Sequence, residues 1–187
     1  MPEPPPMTER QIRRVTVGEL RPHDGPIALV PYDPAWPDRF AREASRIRTA
    51  LGDRVLQIEH IGSTSVPGLV AKPIVDLLLV VADSADEAAY LPDLEAAGYV
   101  LRIREPGWHQ HRLLQGPDTP VHLHVFSAGS GPIDRYLMLR DRLRTNEADR
   151  ALYARTKRRL ARRNWKFVQN YADAKSEVIE EILARAR

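Results

Sequence analysis

Apolar positions along this chain switch between two periods, and the switches divide it into elements. Over Trp36–Leu51 the apolar residues Trp36, Phe40, Ala44, Ile47 and Leu51 recur every three or four positions. That spacing lays one apolar stripe along a helix. Pro37 suits the first turn and Gly52 the end. Residues 55–61 read as a strand. Residues 74–81 are apolar on both faces apart from Asp76, so they read as a central strand covered on both sides. Asp83 and Ser84 offer a cap for a helix over 85–97, which Gly98 closes. Strands follow at 99–104, 108–114 and 121–126, the last two joined as a long hairpin through residues 115–120. From residue 133 the pattern is helical, with helices expected at 134–144, 148–163 and 165–186.

Before this patterned region, residues 1–10 are proline-rich and polar and read as a disordered tail. Gly18, Pro22, Gly25 and Pro26 break the stretch 11–29, which reads as irregular with a short extended piece at 27–30. Three regions result: a flexible lead-in over 1–26, an α/β core over 27–132, and C-terminal helices over 133–187. The class is α/β (α+β), a sheet with a helical appendage.

Composition narrows the chemistry. The 187 residues include no cysteine, which removes disulfides, thiolate catalysis and thiolate metal sites. Lys and Arg exceed Asp and Glu by 28 to 25, and the stretch 155–166 holds most of the excess. A basic balance suits anionic partners such as nucleotides. No apolar run reaches the length of a membrane span and the first residues lack a signal-peptide core, so a cytoplasmic location without membrane contact is expected.

Polar residues that interrupt apolar surroundings mark the candidate site. Gly62, Ser63, Thr64 and Ser65 follow a strand, where a glycine admits a ligand to the backbone and hydroxyls meet phosphate oxygens. The plainer alternative is a strand-ending turn. Asp76 stands in an apolar strand, where an idle charge is expensive unless paired or ligand-bound. Lys72 precedes it by four residues and suits phosphate or Asp76, or simply water. His122 and His124 lie two apart and share a strand face; His109 and His111 have the same spacing on the expected partner strand. Two imidazoles on one face can share a metal or grip an anion. His60 lies two before Gly62 and is expected in the same pocket. Arg112, Arg140 and Lys175 are further candidates for ligand contact, with solvated ion pairs as the alternative.

Taken in order, these motifs resemble the GrpB family of the nucleotidyltransferase-fold superfamily. The resemblance rests on HIGSTSVPGLVAKPIVDLLLVV from His60, VPYDPAWPDRF from Val30, HLHVF from His122, RDRLR from Arg140, and Tyr171 with Lys175, and spans residues 30–183. It implies a nucleotidyltransferase-like mixed sheet flanked by helices with the C-terminal helices packed on it, a Gly-Ser turn for nucleotide phosphates at Gly62 and Ser63, and a first metal-binding acid at Asp76. It also implies transfer of a nucleoside monophosphate from a nucleoside triphosphate to a small molecule, assisted by magnesium or manganese. Leu78 stands where the second acid of the superfamily pattern belongs, and His122 and His124 occupy the strand of the third. A divalent metal is therefore expected, if present, on Asp76, His122 and His124. Two other expectations follow from the same residues. One is a non-catalytic module binding a nucleotide or other phosphorylated ligand. The other, weaker, is RNA binding through the basic face at 158–166.

Overall fold

The computed structural model describes residues 6–118 and 120–186. Its centre is one mixed five-stranded sheet. The strands are β1 (Gln57–Ile61), β2 (Val75–Val81), β3 (Val100–Glu105), β4 (His111–Gln115) and β5 (Val121–Ser127), in the spatial order β1-β2-β5-β4-β3. Only β2 and β5 run parallel; the other neighbours are antiparallel. The apolar strand at 75–81 is central and buried on both faces, as its composition dictates.

Each face packs on a different helical layer. Leu77, Leu79, Val81, Leu123 and Val125 meet Trp36, Ala44, Ile47 and Leu51 of α2 (Trp36–Leu51). On the other face Ile61, Leu78, Val80 and Phe126 meet Ile133 of α4 (Gly131–Thr145). Burying such side chains contributes about 1.5–3 kcal/mol each. The chain after the Gly-Ser turn is gripped by the C-terminal helices. Val66 and Leu69 pack with Leu143, with Tyr153 of α5 (Glu147–Ala161), and with Val178 and Ile182 of α7 (Ser176–Ala184). The turn is thus held between the sheet and a separate helical layer.

Four expectations need correction. A helix, α1 (Glu9–Val15), forms where an irregular lead-in was expected. Thr8 and Gln11 close a capping box, Ile12 is buried, and Val17 N–H donates to Arg102 O at 2.8 Å. The helix also takes in the end of the disordered tail expected over residues 1–10, where Met7 N–H donates to Asp173 Oδ2 at 2.8 Å; residues 1–5 lie outside the described residues. The helix expected over 85–97 is a single turn at Glu87–Ala89 followed by α3 (Leu91–Ala96). Tyr90 is driven out of helical geometry (φ −143°), with its ring buried and its hydroxyl donating to Ser84 O at 2.8 Å. The strand expected from 108 begins only at His111, because His109 and Gln110 both adopt left-handed backbone. The helix expected over 165–186 is α6 (Val168–Asp173) and α7, parted at Ala174 and Lys175. The extended piece at 27–30 pairs as an antiparallel bridge between Val30 and Ala71.

Candidate functional site

The Gly-Ser turn is built around one close approach. Gly62 has φ +68°, the left-handed region that glycine occupies without penalty. A Cβ there would collide with Asp76 Oδ2 and lie 3.1 Å from Asp76 Cγ. Glycine is therefore required for the turn to lie against the carboxylate. Ser65 tightens the turn by donating from Oγ to Gly62 O at 2.6 Å, and Thr64 Oγ1 lies 3.0 Å from His60 Nε2. Those two hydroxyls hold the loop. Ser63 Oγ faces the helical layer.

Asp76 is the second residue of β2, opposite His122 of β5, and its face of the sheet also carries His124. Its Oδ1 lies 3.6 Å from His122 Nδ1 and 3.6 Å from His124 Nε2. The side chains of Asp76 and His122 remain 27% and 33% exposed, so the cluster opens to solvent. Burial opposes ionisation of Asp76, but the two imidazoles outweigh it and hold the carboxyl well below the usual carboxylate range.

Three lysines surround this group. Lys157 of α5 is 2% exposed and donates from Nζ to Ser63 Oγ at 2.7 Å and to Val70 O at 2.5 Å. Burial, then Lys175, pushes its ammonium far down from the ordinary lysine value, and Asp76 partly restores it. Lys72 is pushed down to about 8 by burial and by Lys175, again against the pull of Asp76. Lys175, at the break between α6 and α7, lies over the Tyr171 ring at 4.8 Å. One carboxylate thus acts on ammonium groups drawn from a loop and a helix, at the end of the Gly-Ser turn.

Lys157 is the residue that sequence reasoning passed over, because it sits within the basic run at 155–166. A signal was present. Tyr153, Ala154, Lys157, Leu160 and Ala161 share the buried stripe of α5, so this lysine interrupts an apolar face. Arg158, Arg159, Arg162 and Arg163 are exposed.

Other candidates lie elsewhere. His60 is on the opposite face of the sheet, paired with Leu77 and stacked on Phe40 at 5.0 Å, and burial lowers it to about 4. His109 is exposed in the turn before β4. His111 stands behind His124 rather than at the surface. Arg112 is buried on the α2 face, with Nε 2.5 Å from Glu87 Oε1. Arg140 ties Glu59 at 2.8 Å and the His60 carbonyl at 3.2 Å. A cavity of about 610 Å³ lies on the other flank of the turn, lined by Tyr32, Phe40, Arg140, Arg144 and Arg150 but not by Asp76. Arg144 donates there to Ser65 O at 2.9 Å.

The donors at Asp76 do not suit a pair of magnesium ions. They are one carboxylate and two imidazoles, whereas magnesium selects near-octahedral oxygen. Leu78, in the place of a second acid, is 0% exposed among Val80 and Phe126. Among the described residues no group of three or more His, Cys, Asp or Glu side chains is arranged to hold a metal ion.

Comparison with known proteins gives consistent matches along most of the chain. A family model described as GrpB protein matches residues 26–185. A UPF0157 protein of Halalkalibacterium halodurans is 60% identical over 181 residues, covering 97% of this chain and 93% of that protein. A dephospho-CoA kinase of Mycobacterium tuberculosis is 40% identical over 98 residues, covering 50% of this chain and 21% of the kinase. Among solved structures, the conserved protein GrpB from Enterococcus faecalis superposes with TM-score 0.74 at 32% identity, over 85% of this chain and 96% of that one.

Proposed function

The chain belongs to the GrpB family, and from that premise we propose that it binds a nucleotide or another phosphorylated small molecule across the Gly62–Ser65 turn. One observation carries the reading: buried Lys157 reaches the Ser63 hydroxyl beside Lys72 and Lys175, with Asp76 as the acid acting on both Lys72 and Lys157. Repelling ammonium groups held at a turn are stabilised by a phosphate dianion, which supplies charge-assisted hydrogen bonds. In this reading the lysines supply positive charge that a metal pair supplies in other nucleotidyltransferase-like proteins. Part of the dephospho-CoA kinase sequence resembles this chain, so coenzyme A precursors belong among the ligands to try.

Titration calorimetry with ATP, GTP, dephospho-CoA and coenzyme A tests this. Binding is expected for at least one of them, weakened about tenfold or more by Lys157→Met and by the less buried Lys72→Ala, since one lost charge-assisted bond is worth about 1.5–3 kcal/mol. No heat with any of them up to millimolar concentration overturns the reading.

A second reading is favoured by the place of Asp76 between two imidazoles at the mouth of the turn. It is transfer of a nucleoside monophosphate to a small-molecule acceptor. The acceptor hydroxyl oxygen bonds to the α-phosphorus, and the bond from that phosphorus to the pyrophosphate oxygen breaks. The hydroxyl proton passes to the Asp76–His124 group, and pyrophosphate departs against the lysines. Incubation with each nucleoside triphosphate, magnesium or manganese and a metabolite pool would then release pyrophosphate, and Asp76→Ala would abolish the release. Absent release removes this reading and leaves the first intact.

A further inference from the structure

Four side chains stand in line on the Asp76 face of the sheet. Glu105 Oε2, at the end of β3, lies 2.6 Å from His111 Nδ1. His111 Nε2 lies 3.1 Å from His124 Nδ1, and His124 Nε2 lies 3.6 Å from Asp76 Oδ1. The two imidazole planes differ by only 18°. Trp108 packs edge-on to His111 at 5.3 Å, Phe126 stacks on it at 4.8 Å, and Tyr136 leans on His124 at 5.8 Å. Both Glu105 and His111 are buried, so their protons have few alternative partners.

The protons follow from donor and acceptor capacity. An ionised carboxylate only accepts, so His111 carries its hydrogen on Nδ1. The 2.6 and 3.1 Å gaps each hold a hydrogen, so two neutral rings have none left for the 3.6 Å gap, and His111 Nε2 is the acceptor of the 3.1 Å bond. His124 must then carry a hydrogen on Nδ1 and donate it to His111. The nitrogen of His124 left to face Asp76 is Nε2. At 3.6 Å these two atoms are too far apart for a direct hydrogen bond.

We propose that Glu105 and His111 are positioning residues that lock His124 in the Nδ1–H tautomer, so that His124 Nε2 and Asp76 Oδ1 together accept a hydroxyl of the bound ligand. The tautomer lock stands on the hydrogen-bond chain alone. The hydroxyl partner rests on the binding reading above. A phosphorylated ligand with a sugar or alcohol hydroxyl satisfies both ends of the site, with phosphate on the lysines and the hydroxyl donor on the acceptor pair.

The test is long-range ¹H–¹⁵N correlation spectroscopy of the imidazole nitrogens in the full chain, paired with calorimetry using ATP and inorganic pyrophosphate. In the unmodified chain His111 and His124 are both expected as Nδ1–H tautomers. In Glu105→Gln the amide can donate to His111 Nδ1, and both rings are expected to flip to Nε2–H. That variant is expected to bind ATP several-fold more weakly while pyrophosphate, which has no sugar hydroxyl, binds unchanged; a merely structural role would weaken both. An Nε2–H form of His124 in the unmodified chain overturns the lock, and that spectrum needs no variant to fold. Equal losses for ATP and pyrophosphate overturn the hydroxyl partner. If neither probe binds the unmodified chain, the binding reading fails and takes the hydroxyl partner with it, while the spectra decide the lock on their own.

Discussion

Gly62 is the position at which a single atom matters most. Alanine there would occupy a left-handed backbone and press its Cβ against Asp76 Oδ2. Strain of that kind costs about 1–3 kcal/mol. Gly62→Ala is expected to lower the urea midpoint accordingly and to remove phosphate-ligand binding; a variant with the parent midpoint would show that the close approach is not needed. Leu78 makes the opposite point. Restoring an acid with Leu78→Asp puts an unpaired charge among Val80, Phe126 and Ile133. The expected result is a loss of several kcal/mol and no magnesium-dependent gain in melting temperature, since a buried charge without a partner is among the most destabilising changes. A melt that rises with added magnesium would refute it.

At the scale of elements, the loop 66–74, α5 and the break between α6 and α7 deliver Lys72, Lys157 and Lys175 to one turn. This arrangement places stability and binding in opposition. The folded value of Lys72, about 8, lies below its ordinary 10.5, so the unfolded chain holds more protons between those pH values. Stability therefore rises with pH through that window, and the penalty is fully present below about 8. Lys72→Met is expected to stabilise the chain at pH 7 by on the order of 2 kcal/mol while weakening phosphate binding. In the unmodified chain, affinity measured by calorimetry is expected to fall as pH rises through about 8 and Lys72 loses its charge. Affinity flat across that range would exclude Lys72 from the site. Elements set by strong periodicity, such as α2 and β2, were legible in the sequence. Pro106 and Gly107 mark the turn before β4, but its extension to residue 110 was not legible, because that comes from left-handed His109 and Gln110, two residues that carry no strong turn signal.

Across the whole molecule, two buried imidazoles on opposite faces of the sheet govern the acid limb of stability. His60 and His111 are both held near 4 by burial, against an ordinary 6.5. Between those values the unfolded chain binds about two more protons, so stability falls as pH drops, by about 2.7 kcal/mol per unit at the steepest. The stability they protect is present above about 6.5 and lost through about 4. Chemical denaturation between pH 7 and 4.5 checks this; His60→Phe, beside the Phe40 ring, is expected to halve the slope. An unchanged slope in that variant would show that His60 is already protonated in the fold.

The sequence by itself determined the α/β class, the central apolar strand, the amphipathic helix α2, and the Gly62–Ser63 turn facing Asp76. Those features depend on local spacing, and period and turn chemistry are written in consecutive residues. Alternation along one strand put His122 and His124 on a common face, and the resemblance to the GrpB family joined Asp76 to them. Only the tertiary structure decided that His60 and Arg112 face away from that group, since their side depends on strand register. It alone brought Lys157 to Ser63 across 94 residues of chain and linked Glu105 through His111 to His124. Contacts that distant arise from how the C-terminal helices seat on the sheet, and no short stretch of chain encodes that fit.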